Sequence, residues 1–294
     1  MKKFKGTGIA IVTPFKNDSS IDFNALGRVI NHVIAGGINY IVVLGTTGES
    51  VTLTKDEKRA IISYVLETVD GRLPLVVGIG GNNTQEVVNS IRHTNLTGIE
   101  GLLSVAPYYN KPSQRGLVQH FKAIATCSPL PVILYNVPGR TGCNISADTC
   151  LELAHECENI VGVKEASGDM AQIMKIIKGK PENFSVISGD DMLTIPVISA
   201  GGIGVISVLG NAFPAACAEL VNHALKNNFK LAREIQFKYL EMIELLFTEG
   251  NPSGVKAIMS VMNLCENILR LPLVPVSRGT MTRIQKAVEE VRKI

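Results

Sequence analysis

The chain reads as an α/β protein: a closed (β/α)8 TIM barrel with a C-terminal helical appendage. Three observations predict this. Short β-branched runs recur eight times, they show almost no polar alternation, and segments with helical periodicity and capping residues separate them. Continuous apolar strands belong to parallel sheets covered on both faces. Eight strand–helix units in strict alternation fit a closed barrel better than an open doubly wound sheet, which usually stops at about five or six strands and wants a Gly-rich turn after its first. "TPFKNDSS" follows the first run, and it is no such turn.

The first strand is "GIAIV" (8–12). The opening "MKKFKGTGIAIVTPF" mimics a leader with its lysines, but its apolar part is about six residues long and runs into Pro14, so it reads as a strand. "YIVVL" (40–44) is the second strand. It leads through "GTTGES" to a helix in which Thr54 and Glu57 form a capping box and Gly71 is the stop. "LVVGI" (75–79) precedes a helix opened by Asn83 with Glu86, and "GLLSV" (101–105) ends in "APYYN". "VILYN" (132–136) runs into "YNVPGRTG", after which Ser146 opens a helix. "IVGVK" (160–164), "FSVIS" (184–188) and "GVISV" (204–208) complete the set. "GGIG" at 201–204 lacks the lysine and threonine of a P-loop and precedes a strand, so it is a tight turn. "FPAACAELVNHALKNN" supplies the eighth helix. Residues 1–228 are therefore expected to form the catalytic barrel, and 229–294, punctuated by Pro252, Pro272 and Pro275, a helical region packed on it.

Composition narrows the function. With 46% hydrophobic and 19% charged residues, the 294-residue chain can bury a large core without staples. A net charge of +3, with no basic run, leaves no footprint for nucleic acid or a membrane surface, and no apolar run approaches the ~20 residues of a membrane helix. The six cysteines contain no C-x-x-C pair and read as reduced core thiols of a cytoplasmic protein. All five histidines fall in expected helices without metal-ligand spacing, so no metal and no cofactor are expected. "GDDM", where many barrels hold phosphate, carries acids that would repel one.

Chemistry on this fold gathers at the C-terminal strand ends. There the sixth strand ends in Lys164. A buried lysine is costly unless it is paired or loses its proton, so the position is either a structural ion pair or an amine kept for attack on a carbonyl. The gathering of polar residues at the other strand ends favours the second. Tyr135, ending the preceding strand, is placed to shuttle protons, although a tyrosine there can equally be a packing wedge. "GTTGES" offers two hydroxyls and exposed backbone amides, a concavity suited to a carboxylate or simply a strand-to-helix turn. Arg140 is a guanidinium on a rigid turn, able to hold a second carboxylate.

In order, "GTTGES", "YYNKP", "YNVPGRTG", "GVKEASGD", "SGDD" and "GGIGVISV" resemble the pyruvate-dependent class I aldolase family, over essentially the whole chain. Within it the chain is most similar to the branch that condenses pyruvate with aspartate semialdehyde on the diaminopimelate route to lysine. The resemblance implies that Lys164 forms the Schiff base and that Tyr135 shuttles protons, wired through Thr46 to Tyr109 from a neighbouring subunit. It also implies that Thr47 holds the pyruvate carboxylate and Arg140 that of the semialdehyde, with Gly189 and Ile206 lining the pocket. Tyr108 is implied to stack across a tight dimer, two of which make a homotetramer. A lysine effector site would map to Ser50, Val51, Lys55, Lys58, Asn82, Glu86 and Tyr108. Sensitive members carry histidine, or histidine and glutamate, where this chain has Lys55 and Lys58, and two added cations oppose a cationic effector, so feedback is expected to be weak or absent.

Two other readings stand beside this one. A pyruvate-dependent lyase on another 2-oxo acid, such as N-acetylneuraminate, a keto-deoxy sugar acid or 4-hydroxy-2-oxoglutarate, would share the lysine and tyrosine. The sialate lyases tend, however, to carry serine in the first motif and to lack the arginine after "YNVP". A retired barrel that only binds ligand would be expected to have lost one of Lys164, Tyr135, Thr46 or Tyr109.

Overall fold

A computed structural model describes residues 2–292. Eight parallel strands close on themselves in sequence order: β1 (Gly6–Ala10), β2 (Tyr40–Val43), β3 (Leu75–Gly78), β4 (Gly101–Val105), β5 (Val132–Asn136), β6 (Ile160–Glu165), β7 (Ser185–Ser188) and β8 (Gly204–Ser207). Closure is made by β1 on β8, with Gly6 opposite Gly204. Gly204 has φ +151°, and a Cβ there would lie 1.9 Å from the Gly6 carbonyl oxygen, so only glycine lets the last strand approach the first. The strands lie within a residue or two of the β-branched runs that announced them.

Alternation along the strands divides the apolar residues into two layers. Tyr40, Val42, Val76, Leu103, Ile133, Ile187 and Ile206 pack inside the barrel with Phe4. Outward residues pack under the helices in a larger cluster. The covering helices are α1 (Phe23–Ala35), α2 (Lys55–Val69), α3 (Thr84–His93), α4 (Gln114–Cys127), a single turn α5 (Pro138–Thr141), α6 (Ala147–Glu156), α7 (Met170–Gly179), α8 (Thr194–Ser199) and α9 (Pro214–Leu225). "PGRT", expected as a rigid turn, is thus one helical turn, begun by Pro138 and closed by Gly142 at φ +68°.

Capping follows the residues. Thr54 and Glu57 form the reciprocal box, and Asp70 as well as Gly71 turns left-handed at the end of that helix. Asn83 accepts from the amides of Gln85 and Glu86, and Ser146 from that of Thr149.

Four helices follow: α10 (Phe229–Lys238), α11 (Leu240–Phe247), α12 (Ser253–Val261) and α13 (Arg278–Arg292). Their Met242, Leu246, Ile258, Ile284 and Val288 join the same buried cluster as the outward strand residues. Gln236 Nε2 also donates to the Asp191 carbonyl at 3.0 Å. Among the described residues no helix is long and apolar enough to cross a membrane.

Candidate active site

Lys164 is the last inward residue of β6 and is only 5% exposed. Strand register sets Tyr135 on one side of it and Ile187 on the other. Its Nζ lies 4.2 Å from the centroid of the Tyr135 ring, and Tyr135 is itself buried. Among the described residues no carboxylate pairs with this amine. Gly189, just past β7, sits against it: a Cβ there would fall 3.0 Å from Lys164 Cε and 2.8 Å from Ala166 Cβ. Its amide donates to the Glu165 carbonyl at 2.7 Å. Ile206 is fully buried in β8 within the same inner cluster as Tyr135.

The loop after β2 forms another wall. Glu49 adopts φ +52°, and the amides of Gly48 and Glu49 donate to the carbonyls of Gly45 and Thr46 at 3.1 and 3.0 Å. Those two amides are therefore spent within the turn, since a loop this buried satisfies its own backbone. Thr46 is half-buried and Thr47 buried. Thr47 Oγ1 accepts from Asn251 Nδ2 at 3.0 Å, and the carbonyl of Asn251 accepts from Arg140 Nη2 at 3.0 Å. Asn251 thus links the two residues expected to hold carboxylates. Nothing in "EGNPSG" beyond a turn signal points to it.

Glu49 anchors the loop from below. Its Oε1 is 2.5 Å from Lys256 Nζ, with neither side chain exposed, and its Oε2 accepts from the Arg270 amide at 3.1 Å. Lys256 also donates to the Ile268 carbonyl at 2.8 Å and lies over the Phe15 ring. Burial pulls the Lys256 ammonium below the usual lysine range, opposed by the charge of Glu49. Arg270 grips both carboxylate oxygens of Glu57 on α2, at 2.5 and 2.8 Å. Pairs separated by some two hundred residues leave no local pattern, so these partners were not foreseen.

Asp191 explains the acidic "SGDD" turn. Its carboxylate accepts from the amides of Val208 and Leu209 at 2.9 and 3.1 Å and from Ser207 Oγ at 2.5 Å. These backbone donors after β8 are the kind that hold a phosphate in other barrels, and here a side chain occupies them. Burial raises the Asp191 carboxyl, and the three bonds oppose the shift. Among the described residues no group of three or more His, Cys, Asp or Glu could hold a metal.

Tyr109 is placed differently. It sits in the loop after β4 at φ +72°, held by its amide on the Thr141 carbonyl at 3.4 Å, and is 89% exposed. Its phenol is thus not packed with Tyr135 in its own chain. The neighbouring Tyr108 carbonyl accepts from Asn82 Nδ2 at 3.2 Å. Ser50 and Val51 lie in a 3-10 turn before α2, with Val51 exposed. Lys55 opens α2. Burial, and then the charge of Lys55, lowers the pKa of Lys58. Glu86 is exposed in the first turn of α3.

A closed parallel barrel whose mouth carries a buried, unpaired lysine against a tyrosine belongs among the (β/α)8 lyases of the class I aldolase type. The Dihydrodipicolinate synthetase family matches residues 3–291, and the chain belongs to that family. It is 50% identical over 293 residues to the 4-hydroxy-tetrahydrodipicolinate synthase of Flavobacterium psychrophilum, covering 100% of both chains. The dihydrodipicolinate synthase structure from Thermotoga maritima is 40% identical with a TM-score of 0.96, over 99% of this chain and 100% of that one. That from Acinetobacter baumannii, complexed with pyruvate, is 37% identical with a TM-score of 0.95, over 99% of each chain.

Proposed function

We propose that the chain catalyses the 4-hydroxy-tetrahydrodipicolinate synthase reaction, joining pyruvate to L-aspartate 4-semialdehyde through a Schiff base on Lys164, in the cytoplasm and on the diaminopimelate route of lysine biosynthesis. The observation that carries the reading is the Lys164 amine, enclosed at the barrel mouth 4.2 Å from the Tyr135 ring and free of any carboxylate among the described residues. The Lys164 nitrogen adds to the pyruvate ketone and water leaves. Loss of a methyl proton from the iminium gives an enamine, which attacks the aldehyde carbon of the second substrate; the amino group of that substrate then attacks the iminium carbon, closing the ring and releasing the Lys164 amine. Tyr135 moves the protons, with Thr46 and Tyr109 as its relay.

Thr47 holds the pyruvate carboxylate, Gly189 and Ile206 line the pocket, and Arg140 receives the semialdehyde. A dicarboxylate-forming reaction needs that second cation, which supports this reading over a sugar-acid lyase. The exposure of Tyr109 supports its use in a partner subunit of a homotetramer built from tight dimers, with residues 1–228 as the catalytic barrel and 229–294 packed against it. Borohydride trapping with pyruvate, read by mass spectrometry, should place an adduct on Lys164, and Lys164→Ala should abolish both adduct and turnover. Unchanged turnover in that variant would refute the reading.

A further inference from the structure

Behind the candidate nucleophile the ends of β5 and β6 carry a buried polar cluster that none of the roles above uses. Tyr135 faces Lys164 across the strand pair, and one residue on Asn136 faces Glu165. Alternation turns this second pair out of the barrel, under α6 and α7. Both side chains are buried. Asn136 Nδ2 donates to Glu165 Oε1 and, at 2.8 Å, to Asn144 Oδ1, while the Ile145 amide donates to Asn136 Oδ1 at 2.9 Å. Gln172 Nε2 donates to Glu165 Oε1 at 3.1 Å, and Ser167 donates to Oε2 through its hydroxyl at 2.5 Å and its amide at 3.3 Å.

Among the described residues no cation pairs with Glu165. Burial raises its carboxyl, and the bonds from Ser167, Asn136 and Gln172 oppose the shift. A carboxylate enclosed without a cation is costly, and a corner that only had to be filled would be served by an apolar side chain. Ser167 and Gln172 follow Glu165 along the chain, whereas Asn136 lies on β5, so sliding β6 against β5 would break the Asn136 bond. The same slide would carry Lys164 past Tyr135.

We propose that Glu165, through its bond to Asn136, is a positioning residue that holds Lys164 in line with Tyr135 for the proton transfers; this rests on the Schiff-base reading above. Glu165→Gln keeps the shape of the side chain but removes the charge that strengthens the bond from Asn136 and turns one of the two acceptor oxygens into a donor. In that variant kcat and the rate of borohydride-trapped adduct should fall about tenfold, and in Glu165→Ala about a hundredfold, with the KM for pyruvate within about threefold of the parent. A kcat within about twofold of the parent in the folded variants would overturn the proposal. If Glu165→Ala does not fold, Glu165→Gln alone decides by the same criteria. If the parent enzyme itself yields no adduct on Lys164, the Schiff-base reading falls, and crystal structures decide the positioning claim. Displacement of Lys164 from the Tyr135 ring in Glu165→Gln would then support it, and superposition of the two residues on the parent would overturn it.

Discussion

Lys164 and Gly189 share one small volume, and the absence of a side chain at position 189 is what leaves the lysine room. Gly189→Ala is expected to push the amine out of line, and a misplacement near 1 Å lowers kcat roughly a hundredfold. Steady-state kinetics beside a melting curve checks this: an unchanged kcat would show that the lysine is not held by that contact. His120 offers a second test, far from the chemistry. It is buried, its Nδ1 lies 2.8 Å from Thr84 Oγ1, and burial lowers its pKa to about 4. The unfolded chain takes up a proton near pH 6.5 and the folded one does not until about pH 4. Stability from this group is therefore complete above pH 6.5 and is lost as pH falls from there towards 4. Between pH 7 and 5 the loss is about 2 kcal/mol. Urea unfolding of His120→Gln should show a shallower decline with acid than the parent, and parallel declines would rule the assignment out.

The loop after β2 is held by side chains from the C-terminal region as well as by hydrogen bonds within its own turn. Glu49 and Lys256 are fully enclosed, so removing one leaves the other charged without its counter-charge. Lys256→Met should destabilise the protein by about 3–5 kcal/mol, whereas Glu49→Gln with Lys256→Met should cost much less than the two single changes together. A double-mutant cycle by chemical denaturation checks this, and strict additivity would mean that the ion pair contributes no coupling. The same loop carries Thr46 and Thr47, so the single variants should also raise the KM for pyruvate.

Barrel and appendage share a continuous apolar cluster, and polar tethers run between them, among them Gln236 to Asp191, Asn251 to Thr47, Lys256 to Glu49 and Arg270 to Glu57. The helical region therefore shapes the barrel mouth as well as covering the barrel. Lys55 and Lys58 bring two cations to one turn of α2, and an effector site formed with them would repel a cationic effector. Added lysine should leave the initial rate essentially unchanged, and a saturating inhibition curve at millimolar lysine or below would contradict this.

The eight strands, most of the caps and the polar strand ends of the barrel were legible along the chain, because alternation, β-branching and capping are local and repeat with every unit. Lys164 and Tyr135 could be named since the fold dictates where strand ends meet, and Gly189 because the ordered motifs resemble a known family. The partners of those residues could not. Asn251 joins Thr47 to Arg140, Glu49 meets Lys256, Asp191 fills the amides after β8, and Glu165 is clasped by Asn136 and Gln172. Each of these side chains is an ordinary polar residue in its own segment. Which of them meet depends on closing the barrel and folding the last helices over it, since burial forces every enclosed charge and amide to find a partner wherever the chain supplies one.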